Sequence, residues 1–254
     1  MIFWTIFIPI SAFALICYFW YLDVLFKGKK AVFLIEESAS DPSRPEFKNT
    51  FLNLFVFGLV GFLLGYGIDH GYTQIQTELP KTFIDYLFLL ISFFLALAIH
   101  DFYFYWSHRL LHSSLLFKSV HLKHHKSLKP NAWSAFSFHP VEGVIQVGII
   151  PIVALILPIH EWVLVAFSFF LLFISVYGHC GYELRPNKLA VFRVFNTSLH
   201  HFQHHKFIHF NYGIYLNLWD RWFRTDYPKY NDDFEELKQR INAKITDTFS
   251  NHDE

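Results

Sequence analysis

The sequence predicts an all-α integral membrane helical bundle, with about four to five membrane helices and a cytoplasmic helical cap carrying a histidine-rich dimetal site. Three observations predict it. Of 254 residues, 53% are hydrophobic and only 17% charged, against roughly a quarter charged in soluble domains. Several apolar runs approach or exceed the about 20 residues that a helix needs to cross a bilayer. Of 16 histidines, ten gather in three groups that follow the apolar runs and do not interrupt them.

The first apolar run covers about 2–24. No basic residue precedes it and no small-x-small cleavage site follows, so it reads as a retained anchor and not a cleaved signal. Further runs occupy about 50–68, 83–100, 143–159 and 161–177. The last two are short and are joined by the tight Leu157-Pro158-Ile159-His160-Glu161 turn. They form two spans or a hairpin that dips in without emerging, and in both cases the chain returns to the face it left. From about Asn231 the chain reads as a soluble charged helix and tail. The expected organisation is membrane helices and a loop over 1–82, a catalytic domain over 83–230 and a charged tail over 231–254.

Cytoplasmic loops carry the excess of lysine and arginine. Lys27, Lys29, Lys30, Arg44 and Lys48 lie between the first two runs, and Arg109, Lys118, Lys123, Lys126 and Lys129 between the third and fourth. Of the 21 basic residues only Lys81 falls in the connection 69–82. The N-terminus is therefore expected outside, with every histidine group facing the cytoplasm. Zero net charge and the lack of a basic tract argue against nucleic acid as a partner. Cys17 and Cys180 make neither a disulfide framework nor a C-x-x-C metal pair. Asn196-Thr197-Ser198 matches the pattern of a glycosylation acceptor, but its neighbours belong to the cytoplasmic side.

His108 and His112 are four residues apart and project from one face of a helix, with Asp101 close to that face. His121, His124 and His125 stand at i, i+3 and i+4, as do His201, His204 and His205. Imidazoles aimed in one direction from three segments are what coordination of a metal needs. Isolated His70, His160 and His252 read as ordinary surface or core residues. A catalytic zinc uses three protein ligands and a structural one four, so eight clustered histidines suit two ions. Nitrogen donors alone do not choose among iron, zinc, copper and nickel. The Glu-x-x-His motif of soluble di-iron bundles is missing. His139, before the fourth run, and His179, after the fifth, could complete the ligand set. Asp101, Glu142, Glu183 and Asp220 are candidates to accept the second N–H of a bound imidazole, with His200 beside them.

These pieces resemble the fatty acid hydroxylase and sterol desaturase superfamily of integral-membrane di-iron oxygenases. The matching residues are D-F-x-x-Y-W-x-H-R-x-x-H at Asp101 to His112, H-x-x-H-H at His121 to His125, and His139-Pro140-Val141-Glu142. H-H-x-x-H-H at His200 to His205 and N-Y-G-x-Y-L-x-L-W-D-R-x-F at Asn211 to Phe223 follow. Arg224 departs from the pattern, standing where Gly commonly precedes Thr225. The resemblance implies two iron ions, O2 as co-substrate and two electrons, used to hydroxylate or desaturate a C–H bond of a sterol, fatty acyl or related lipid. No haem or flavin domain can be fitted, so the electrons are expected from a separate cytochrome- or ferredoxin-type protein with its reductase. A metal transporter with histidine-rich loops is the competing class, but it would carry polar groups near mid-membrane, and the predicted runs hold almost none.

Aromatic residues fill Phe102 to Trp106 and recur at Trp219, Trp222 and Phe223. Both sets are expected in the belt where membrane meets water. Leu216 to Arg224 is expected to lie along the membrane surface as an amphipathic helix, and Asn211-Tyr212-Gly213 to turn on the freedom of its glycine.

Overall fold

The computed structural model describes residues 1–25, 35, 42–183 and 194–250. Lys27, Lys29, Lys30 and His252, used above, lie outside these residues. Four helices are long and apolar enough to cross a membrane: α1 (Ile2–Leu25), α2 (Arg44–Asp69), α3 (Phe83–Leu111) and α6 (Glu161–His179). The shorter α5 (Pro140–Ile156) packs among them.

α2 begins before its apolar run because the sequence supplies a complete start signal. Ser43 caps the helix, its side chain accepting from Glu46 N while Glu46 returns a bond to Ser43 N, and Pro45 stands in the first turn. α1 lies antiparallel to it, with the N-terminal ammonium 3.0 Å from Asp69 Oδ2. Their close approach requires two glycines in α2. A Cβ at Gly61 would fall 2.1 Å from Trp4 O, and one at Gly65 2.5 Å from Met1 Cα. This is the small-xxx-small spacing by which membrane helices bring backbones together.

α3 runs on past its expected end at 100 to Leu111. Its 29 residues span about 43 Å at 1.5 Å per residue, more than the about 30 Å of a hydrocarbon core. The last turns therefore project beyond the apolar layer, and they carry His108. Only 17% of its most apolar stretch is buried, so α3 presents a long hydrophobic face outward, with Phe83, Ile84 and Phe94 among its exposed residues.

The turn after α5 ends in β2 (Ile159–His160), which pairs in parallel with β1 (Ile75–Gln76) from the connection between α2 and α3. This short pairing is a β element that the all-α expectation lacked. It ties the α5–α6 turn to the end of the bundle opposite the histidines, so α5 and α6 reach the same level as the other helices. His160 is buried and caps α6, its Nδ1 accepting from Trp162 N at 3.2 Å.

Beyond the bundle are α4 (Leu122–His125), entered through a π turn at Phe117–His121, then α7 (Ser198–Phe207), α8 (Leu218–Trp222) and α9 (Tyr230–Ser250). α9 closes over α7 with Tyr230, Phe234, Leu237 and Ile241 against Leu199 and Phe202. The segment between α4 and α5 is held by polar residues of α2. Asn53 Nδ2 donates to the carbonyls of Phe136 and Phe138 at 3.0 and 2.9 Å, and Thr50 Oγ1 to that of Trp133 at 2.7 Å.

Candidate metal centre

The histidines converge into two adjoining groups. His108, His112, His121, His125 and His204 form the first, and His124, His179, His201 and His205 the second. Within each group the candidate ligand nitrogens lie within 4.8 Å of one another. His125 and His205 bring the groups together, their ring centroids 4.9 Å apart. α3, the π turn, α4 and α7 build the first group, and α4, α6 and α7 the second.

The expectation that each H-x-x-H-H presents a single face is corrected here. His121 and His125 enter the first group while His124 enters the second, and His204 parts from His201 and His205 in the same way. Consecutive residues diverge by about 100° on a helix. A helix wedged between the two groups therefore serves both, with its i,i+4 pair on one side and the remaining histidine on the other.

Pairs of Nε2 atoms stand 3.0 to 3.2 Å apart: His125 to His112, His121 and His204, and His179 to His201 and His205. Two nitrogens bound to one ion at about 2.1 Å are separated by about 3.0 Å at a right angle and about 3.4 Å in a tetrahedron. The observed spacing fits a shared ion. Nδ1 is engaged elsewhere in several rings, which leaves Nε2 as the unprotonated nitrogen. His108 donates to Tyr212 O at 2.9 Å, His204 to Phe210 O at 2.6 Å, His179 to Ser175 O at 2.6 Å and His121 to Glu142 Oε1 at 2.8 Å. Burial, reinforced by repulsion between neighbouring rings, holds His112, His121, His124, His125, His201, His204 and His205 well below the usual histidine range. The rings are thus neutral donors at physiological pH.

Of the four expected carboxylates, Glu142 alone bonds a clustered imidazole. Asp101 accepts instead from Tyr215 N, Leu216 N and Trp219 Nε1, at 3.1, 3.3 and 3.0 Å. Seven residues of helix place it about 10 Å along the axis from His108, out of its reach. Glu183 accepts from Leu199 N at 3.0 Å and Tyr177 OH at 3.3 Å, fixing the start of α7. Asp220 accepts from Tyr212 N, Gly213 N and Thr225 Oγ1, at 2.8, 2.7 and 2.8 Å, and stands 3.6 Å from His200 Nε2. Burial pushes its carboxyl up to about 6. It holds the turn whose Tyr212 carbonyl orients His108. His139 lies outside both groups, where its Nδ1 accepts from Val141 N and caps α5. The carbonyls of Ser175, Phe210 and Tyr212 had no signal in the sequence, because every residue carries one.

In the turn at 211–213, Asn211 takes the left-handed angle, with φ 61°. Gly213 is needed for space instead, since a Cβ there would meet Asp220 Oδ2 at 2.8 Å. Arg224 is also left-handed, with φ 54°, so the turn forms despite the missing glycine. Tyr105 departs from the expected aromatic belt. It is fully buried, its hydroxyl 3.1 Å from Thr225 Oγ1, whereas Phe102, Trp106 and Trp222 are exposed.

An apolar cavity opens beside the imidazoles, lined by Phe57, Phe104, Phe136, Leu171 and Leu172 and reaching His108, His121, His124, His179 and His201. Both groups can therefore be approached from one apolar space.

The fold and site define a class: membrane-helix proteins with paired imidazole clusters at one end of the bundle. The pattern of the fatty acid hydroxylase family matches residues 93–225, and the chain belongs to that family. It is similar to lathosterol oxidase of Homo sapiens, 32% identical over 151 residues, which cover 59% of this chain and 50% of that protein. It is also similar to the Delta(7)-sterol 5(6)-desaturase of Leptosphaeria maculans, 34% identical over 161 residues, 63% of this chain and 42% of the relative. The chain thus matches about half the length of these curated relatives. No solved structure matches it.

Proposed function

We propose that the chain is an O2-dependent di-iron lipid oxidoreductase that hydroxylates or desaturates a C–H bond of a sterol-like substrate. The observation that carries this reading is the convergence of nine imidazoles into two adjoining groups at the wall of an apolar cavity. The names of the relatives support a sterol-like substrate. His108, His112, His121, His125 and His204 would hold one iron, and His124, His179, His201 and His205 the other. Bound there, the irons supply O2 activation and electron transfer for oxidation of an unactivated C–H bond.

The chain's own residues arrange that chemistry. Neutral ligands leave the positive charge of the ions uncancelled. Glu142 and the three carbonyls aim the rings, while Phe104, Phe136 and Leu172 keep water from the apolar side of the site. Hydroxylation consumes one O2, two electrons and two protons and releases one water; desaturation consumes the same and releases two. The electrons would come from a separate cytochrome- or ferredoxin-type protein and its reductase. The distribution of lysine and arginine supports a cytoplasmic placement of the histidine end, where such a carrier would dock.

Expression in aerated cells that contain sterols and a competent electron donor tests the proposal. The expected result is a new lipid changed by sixteen mass units or by the loss of two, together with iron in the purified protein. An unchanged lipid profile alongside iron-free protein would contradict it.

A further inference from the structure

We infer that Asn196 reads a hydroxyl group on the substrate, so that the cavity selects a lipid alcohol oxidised at a carbon close to its hydroxyl. This rests on the proposed lipid oxidation and adds the group by which the substrate is recognised.

Several polar groups on the cavity wall are already engaged. Tyr177 OH donates to Glu183, His100 pairs with the hydroxyl of Tyr215, and Glu142 Oε1 accepts from His121. Glu142 Oε2 is without a partner among the described residues, but its carboxylate is committed to aiming His121. Asn196 differs from these. It lines the same cavity, and both Oδ1 and Nδ2 are buried without a hydrogen-bond partner among the described residues.

The position of this carboxamide is fixed by its backbone. Asn196 N donates to Tyr215 O at 2.8 Å, and the preceding residue, Phe195, pairs with Leu216. Space for the side chain comes from Gly213, where a Cβ would stand 3.0 Å from Asn196 Nδ2. A buried amide with neither of its hydrogen bonds made is costly, so a ligand that satisfies both atoms is favoured strongly over one that satisfies neither. The carboxamide offers a donor and an acceptor side by side. A hydroxyl answers both, accepting from Nδ2 and donating to Oδ1, whereas a ketone or ester oxygen only accepts. Asn196 stands two residues before α7 and five before His201, a candidate ligand of the second group. Asn196 and imidazoles of both groups line one cavity, so the hydroxyl it holds lies in the same space as the carbon that is oxidised. The burial of the amide also removes Asn196 as a glycosylation acceptor, the other role its sequence suggested.

Binding measured on the full iron-loaded chain in detergent tests this inference. Dehydroergosterol serves as the fluorescent probe, excited by energy transfer from tryptophan, with cholestanol and its ketone cholestanone as competitors. The wild type should bind dehydroergosterol and prefer cholestanol to cholestanone about tenfold, the size expected of one hydrogen bond. Asn196→Leu should weaken cholestanol, which loses two hydrogen bonds, more than cholestanone, which loses one, and so abolish the preference. Asn196→Ser, which keeps a donor and an acceptor, should restore part of the preference. A wild type that ignores dehydroergosterol or does not distinguish the competitors overturns the inference. So does a leucine variant that keeps the preference, or variants that lose both competitors together with their iron, since that would make Asn196 purely structural. Iron content and sterol oxidation on the same samples separate the two claims. Wild type that holds iron and oxidises sterol without preferring the alcohol defeats the hydroxyl assignment alone, whereas protein that neither holds iron nor oxidises sterol defeats the proposed function.

Discussion

The two imidazole groups share α4 and α7 and differ in what completes them. The first has five histidines and draws its remaining three from the π turn, which supplies His121, and from the end of α3, which supplies His108 and His112. The second has four, and its remaining histidine is His179 alone, at the end of α6. Their supports differ too. In the first, His121 leans on the Glu142 carboxylate, while His108 and His204 lean on carbonyls of the 210–212 turn. In the second, His179 bonds a carbonyl of its own helix, Ser175 O. The first group thus depends on long-range packing around α5 and the 210–212 turn, whereas His179 of the second is oriented from within α6 itself.

The largest effect should come from deleting one histidine in each group. His205→Ala leaves three ligands in its group and should reduce iron to about one per chain, with oxidation falling at least a hundredfold. His112→Ala leaves four ligands in the first group and should retain more iron than His205→Ala. Metal analysis of the two variants checks the ranking, and equal losses would dissolve the distinction between the groups.

Next in size is the Glu142 carboxylate, which bonds His121 of the first group and has no counterpart in the second among the described residues. Glu142→Gln should weaken iron binding by about tenfold to a hundredfold, the usual cost of losing such a support. Glu183→Gln touches no clustered imidazole and should leave iron affinity nearly unchanged while lowering thermal stability. Metal titration with a competing chelator distinguishes them.

Packing under the first group gives the third prediction. A Cβ at Gly143 would lie 2.2 Å from Asn53 Oδ1, on the side chain that fixes the loop between α4 and α5. Gly143→Ala should destabilise the protein by about 1–3 kcal/mol, the usual range for overpacking, seen as a lower midpoint in detergent. An unchanged midpoint would mean that Asn53 can move without loosening the loop.

pH provides a gentler probe of the metal-free protein. The folded histidines titrate well below their ordinary value of about 6.5, so between those limits the unfolded chain binds more protons and stability falls as pH drops below about 6.5. Asp220 has the opposite sign. Its folded value of about 6 lies above its ordinary value of about 3.9, so its contribution is complete below the ordinary value and is lost as pH rises through about 6. Burial pushes the Glu183 carboxyl up in the same direction as Asp220, but the seven imidazoles outnumber the buried carboxyls, and the metal-free midpoint should be lower at pH 5.5 than at pH 8. A midpoint that stayed level or rose on acidification would mean that the rings are not buried as described. The smallest effect belongs to Arg224→Gly, which should add up to about 1 kcal/mol by relieving a left-handed residue.

The helical frame could be read from the sequence because bilayer thickness and apolar run length settle it together. The histidines declared themselves through spacing, including the i,i+4 pairs that the structure keeps on one side. Their division between two groups was not legible, because it depends on how α4 and α7 sit between α3 and α6, and spacing within one helix does not encode its neighbours. Asp101 and Glu183 carry charge like Glu142, and only tertiary distance separates their roles. The backbone carbonyls of Trp133, Phe136 and Phe138, which take the hydrogen bonds of Thr50 and Asn53, are marked by no sequence pattern.

Anomalous X-ray scattering at the iron edge, from crystals of the iron-loaded protein, tests the central claim most directly. Two peaks per chain are expected, one surrounded by the five nitrogens of the first group and one by the four of the second. A single peak, or iron bound away from these rings, would contradict the account.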